Sequence, residues 1–67
     1  MKVEVNGTTT ILGSETTISD LLKKLNIQVE NGVAVALNYG VVPKSNYSDT
    51  VIKEGDTLEV IHATAGG

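Results

Sequence analysis

A chain of 67 residues with a formal charge of −3, one histidine and no cysteine is held to a single small domain, since domains run from about 50 to 200 residues. Disulfide staples and a Cys/His zinc site are excluded, and five scattered lysines do not make the basic stripe that a nucleic-acid binder needs. An apolar content of 40 % suits a globular chain rather than a disordered one, and without Trp or Phe its core has to be aliphatic.

The opening residues "MKVEVNGTTTIL" contain no long apolar segment, and the longest apolar run, residues 33–37, is far too short to span a bilayer. A soluble, cytoplasmic chain is expected, with no membrane partner. Met1, Val3 and Val5 alternate with Lys2 and Glu4, the period of a half-buried strand. Asn6-Gly7 follows, a pair suited to the two positive φ angles of a type I′ hairpin turn. A two-residue turn there pairs Val5 with Thr8, Val3 with Thr10 and Met1 with Leu12 on one face, and turns Ile11 to the other.

The period then changes. Ile18, Leu21, Leu22 and Leu25 are spaced i, i+3, i+4 and i+7, which predicts a helix with one apolar stripe. Thr17 is the expected N-cap, with Asp20 placed to meet the free N–H groups and positive dipole end of the first turn. The helix should end near Leu25 or Asn26. Residues 33–37, "VAVAL", read as a central strand, and Asn38-Tyr39-Gly40 as a turn. Val41-Val42 forms a short strand stopped by Pro43. Residues 44–48 suggest a single helical turn holding Tyr47 against the core. After a tight turn at Gly55, residues 57–61 alternate again, with Leu58 and Val60 on one face and Thr57, Glu59 and Ile61 on the other. A helix with one apolar stripe and a sheet with one apolar face must bury them together, giving a two-layer α+β domain of residues 1–61. The last strand is free to lie centrally beside the first.

No catalytic constellation emerges from these elements. His62 is the only side chain with a pKa naturally near neutrality, and it falls where the last strand becomes a tail. No serine sits in a nucleophile turn, the glycines are dispersed among separate turns, and the carboxylates are scattered. No catalytic residue, metal ligand or bound cofactor is assigned. The tail, residues 62–67, is different: its side chains shrink toward Gly66-Gly67. Two residues without Cβ make a strand thin enough to thread into a partner's buried active site. The group it would present is the carboxylate of Gly67, which becomes an electrophile once joined to AMP.

These features together resemble a known family. The hairpin at Asn6-Gly7, the helix "TTISDLLKKL", the stretch "VAVALNYGVVPKSNY" and the closing "VIKEGDTLEVIHATAGG" cover the whole chain. Within them, "ALNYGVVP" with Tyr47 four residues after Pro43, "EGD" and the final "AGG" are the specific elements. The chain is similar to the ubiquitin-like β-grasp sulfur carriers, most closely the thiamine-pathway sulfur carriers of the ThiS family.

The resemblance implies a β-grasp fold: a mixed sheet of four to five strands packed on one main helix, with a flexible C-terminal Gly-Gly tail. It also implies a role as protein co-substrate, not enzyme. An E1-like adenylyltransferase would use ATP to adenylate Gly67, and a persulfide made by a cysteine desulfurase or another donor would replace AMP with sulfur. The resulting thiocarboxylate would then serve thiazole synthase. Gly66, Ala65 and Thr64 would thread into the partner active sites. Ile61, Ala34, Ala36 and Val42 are expected to form an apolar docking patch on the open sheet face, and the free protein to be a monomer. The molybdopterin-type carriers and the ubiquitin-like modifiers share the same terminus. A β-grasp interaction module without sulfur chemistry remains the alternative from another class.

Overall fold

The structure, a computed structural model, describes residues 1–29 and 32–62. The first two strands, β1 (Lys2–Val5) and β2 (Thr8–Ile11), form the hairpin expected from Asn6-Gly7. Both turn residues have positive φ, 50° at Asn6 and 81° at Gly7, and the register sets Val3 against Thr10 and Val5 against Thr8. Met1 and Leu12 extend the pairing, with the Leu12 N–H donating to the Met1 carbonyl at 2.8 Å.

Helix α1 (Ile18–Lys24) begins at a reciprocal capping box between Thr17 and Asp20. It ends in a Schellman motif: the Asn26 N–H donates to the Lys23 carbonyl and the Ile27 N–H to the Leu22 carbonyl. Asn26 takes the left-handed conformation at φ 58°, and Ile27 packs on the core. Ile18, Leu21 and Leu22 are fully buried, whereas Leu25, expected to continue the stripe, is 38 % exposed. It sits at the C-cap, where the chain is already leaving the helical path.

Strand β3 (Val33–Leu37), strand β4 (Gly40–Val42) and strand β5 (Thr57–His62) complete one sheet in the order β2-β1-β5-β3-β4. Strand β5 is central, parallel to β1 and antiparallel to β3. The last strand to be made therefore joins two hairpins that are otherwise separate. A 3-10 turn at Lys44–Asn46 delivers Tyr47 into the core.

One element has no counterpart among the expected ones. The chain at Thr50 to Ile52 lies extended against the entry to α1: the Ile18 N–H donates to the Thr50 carbonyl at 3.1 Å and the Ile52 N–H to the Thr16 carbonyl at 2.8 Å. Ile52 is buried as completely as the helix leucines. It belongs to the same core cluster as Ile18, Leu21 and Leu22.

Candidate functional site

The site predicted from sequence has two parts, a terminus and a sheet face, and the structure speaks to the second. Gly67, Gly66, Ala65 and Thr64 lie outside the described residues. What is described is the stem that leads to them: β5 runs to His62, one residue beyond the boundary expected at Ile61, and His62 pairs with Val33.

The open sheet face follows from strand register, because directly opposed residues point to the same side. Ala34 faces Ile61, and Ala36 lies between Glu59 on β5 and Val41 on β4. These five residues share the face away from α1. Ile61 is 50 % exposed and Val41 75 % exposed, while Ala36, between longer neighbours, is almost covered. Large residues of β3 (Val33, Val35) point to the core and its alanines point outward, which leaves the outer surface shallow and low beside Ile61 and Val41.

Val42 does not belong to this patch. It opposes Val35, which is fully buried, and packs against the core on the helix side. The cause is the turn. Asn38 and Tyr39, at φ 49° and 72°, alone form a two-residue loop of type I′ character, and Gly40 is already paired with Leu37. Taking Gly40 as a third turn residue shifts the strand by one position and exchanges the faces of Val41 and Val42. Ile11, 64 % exposed and opposite Lys2, adds a separate apolar residue on the far edge of the sheet.

The two hairpin turns also hold β5 from both sides. The Thr57 N–H donates to Asn38 Oδ1 at 2.9 Å, and Asn38 Nδ2 donates to Asp56 Oδ1 at 3.0 Å. At the other end, the Val60 N–H donates to Asn6 Oδ1 at 2.8 Å. In the sequence both asparagines read as turn formers only. The turn signal is local, whereas these amide contacts span 19 and 54 residues.

Among the described residues no group of His, Cys, Asp or Glu is placed to hold a metal ion, and no helix is long and apolar enough to cross a membrane. His62 is exposed at the end of β5. The arrangement is a surface and a stem, a helix-backed mixed sheet whose central strand runs out toward the C-terminal residues, and this defines a ubiquitin-like β-grasp protein.

The comparisons narrow that class. The profile of the ThiS family matches residues 2–67, and the chain belongs to that family. The Escherichia coli sulfur carrier protein ThiS is 31 % identical over 51 residues, 76 % of each protein. A thiazole synthase of Paramagnetospirillum magneticum is 34 % identical over 67 residues, all of this chain but only 20 % of that protein's length. The crystal structure of the Geobacter metallireducens thiamine biosynthesis protein (ThiS) superposes with a TM-score of 0.83 at 30 % identity, covering both chains completely. A solution structure from the same organism gives 0.79 at 32 % identity, covering this chain and 88 % of the other.

Proposed function

We infer that this chain is a sulfur carrier of thiamine biosynthesis, a protein co-substrate and not a catalyst. The single observation that carries the reading is the family match, which extends from Lys2 through Gly67 and so includes the terminal glycines. The fold is consistent with the role, because a rigid sheet offers a surface to partners while its central strand leads to the reacting end.

In this reading, residues 1–61 form the recognised domain and residues 62–67 deliver the carboxylate of Gly67 to an E1-like adenylyltransferase in the cytoplasm. A Gly67 carboxylate oxygen attacks the α-phosphorus of ATP, pyrophosphate leaves, and an acyl-adenylate forms. The terminal sulfur of a persulfide, supplied through a cysteine desulfurase, then attacks the acyl carbon and AMP leaves. A second thiol then attacks the donor's sulfur, the S–S bond breaks, the thiocarboxylate leaves, and the donor and the second thiol are left joined as a disulfide. Gly66, Ala65 and Thr64 occupy the partner's channel, where the absence of Cβ on glycine allows close approach. The chain binds no cofactor of its own, and the ATP belongs to the partner's reaction.

Thiazole synthase is the proposed sulfur acceptor. The supporting observation is that a protein of that name contains a segment similar to this entire chain. The docking surface is assigned to Ile61, Ala34 and Ala36, with Val41 in place of Val42. Aliphatic groups standing above alanines give a partner apolar area to cover.

Intact mass tests the reading. Protein purified from cells with a working thiazole pathway should carry a fraction heavier by the difference between sulfur and oxygen, localised to Gly67. Deletion of Gly67 should remove that species and ATP-dependent adenylation while leaving the fold unchanged. Sulfur transfer to thiazole that persists after the deletion would overturn the carrier assignment.

A further inference from the structure

Strand β1 stops at Val5, but the edge of β5 that faces it continues. The parallel ladder between them advances two residues at a time: the Glu4 N–H donates to the Asp56 carbonyl, and the Asn6 N–H donates to the Leu58 carbonyl at 2.9 Å. The next step falls at Val60. There the main chain has turned away into the hairpin, with Asn6 at φ 50°, and the side chain takes over. Asn6 Oδ1 accepts from the Val60 N–H at 2.8 Å, and Asn6 Nδ2 donates to the Val60 carbonyl at 3.4 Å. One amide thus imitates another strand residue. Val60 is two residues from the end of β5, and on its other side the strand is held by β3 through Ala34 and Ile61.

The geometry points to Asn6 as a positioning residue that fixes the end of β5, from Val60 to His62, through which the chain continues toward Gly67. The inference rests on the carrier reading for its consequence, delivery of Gly67, but its structural half stands without sulfur chemistry. Glycine at position 6 keeps the positive φ of the turn and deletes only the amide. The Val60 N–H and carbonyl then lose their partner, and the end of β5 is supported from one edge alone. Asn38 supplies the matched control. Its side chain performs the equivalent bond at the start of β5, on Thr57, where the strand is remote from the terminus.

The experiment compares wild-type protein, Asn6→Gly and Asn38→Gly by amide hydrogen exchange and by steady-state adenylation with the partner enzyme, well below each melting temperature. Asn6→Gly should speed exchange at Val60 about tenfold while exchange at Val35 follows global stability alone. Its kcat for adenylation should fall about tenfold with KM little changed, because docking uses the sheet face and only delivery of the end is impaired. Asn38→Gly should lose comparable stability yet keep kcat. Equal loss of kcat in the two variants, or unaltered exchange at Val60 in Asn6→Gly, would overturn the inference. A wild-type chain that is not adenylated would count against the carrier reading instead, and the exchange at Val60 would then decide the positioning role by itself.

Discussion

Thr17 and Asp20 cap each other: the Asp20 N–H donates to Thr17 Oγ1 and the Thr17 N–H donates to Asp20 Oδ2, both at 3.1 Å. The bonds from the Thr17 backbone and then from its side chain hold the Asp20 carboxyl below its ordinary value of 3.8, with Lys23 adding to the effect. A depressed folded-state pKa means stability that is present above the unfolded value and lost as pH falls through the folded one. Unfolding midpoints should therefore decline below about pH 4, and Asp20→Asn should flatten the acid limb. Thr17→Ala should cost about 1 kcal/mol in denaturant titrations.

Leu21 carries the second prediction, since it is fully buried on the helix face that meets the sheet. Leu21→Ala should cost about 2 to 5 kcal/mol. Leu21→Asp would bury a charge without a partner and should leave a domain of this size unfolded. An unchanged melting temperature for Leu21→Asp would contradict the packing of α1.

Tyr39 is held at φ 72° while its side chain is 81 % exposed. A bulky residue in the left-handed region carries backbone strain of about 1 to 2 kcal/mol, and here little burial offsets it. Tyr39→Gly should therefore raise stability by about 1 kcal/mol, measured by urea denaturation. A loss of stability would show that the ring makes a compensating contact.

Val41 and Val42 are adjacent and should behave oppositely. Val41→Asp, on the open face, should leave the melting temperature nearly unchanged and weaken binding to the proposed partners, thiazole synthase and the adenylyltransferase. Val42→Asp, beside Val35, should destabilise the fold by more than 2 kcal/mol or so, as expected for a charge forced toward the core. Titration calorimetry with each partner, set beside thermal melts, separates the two effects. Equal binding by Val41→Asp and wild type would remove Val41 from the docking surface.

Much of the sheet face was legible because alternation is a local property. Ile61 follows from the alternation of residues 57–61, and with the last strand taken as central Ala34 and Ala36 share its side; the register puts all three on one face. Val42 was misplaced for an equally local reason. A turn of two residues and a turn of three differ by one step, and in a strand one step reverses the face. Asn38, like Asn6, opens a turn whose two residues both have positive φ, but the second residue is Tyr39 rather than glycine, so the two-residue loop is not marked in the sequence as it is at Asn6-Gly7.

The amino-acid sequence by itself determined the hairpin at Asn6-Gly7, the helix with its Thr17 cap, the aliphatic core residues and the family, all of which depend on side-chain period, turn conformation and motif order over short stretches. Tertiary structure alone decided that Ile52 joins the core, that Val41 rather than Val42 faces outward, and that the asparagines of both hairpin turns grip β5. Those outcomes depend on which backbone groups meet across the sheet. Asn6 meets Val60 over 54 residues of chain, and no pattern within either segment encodes that meeting.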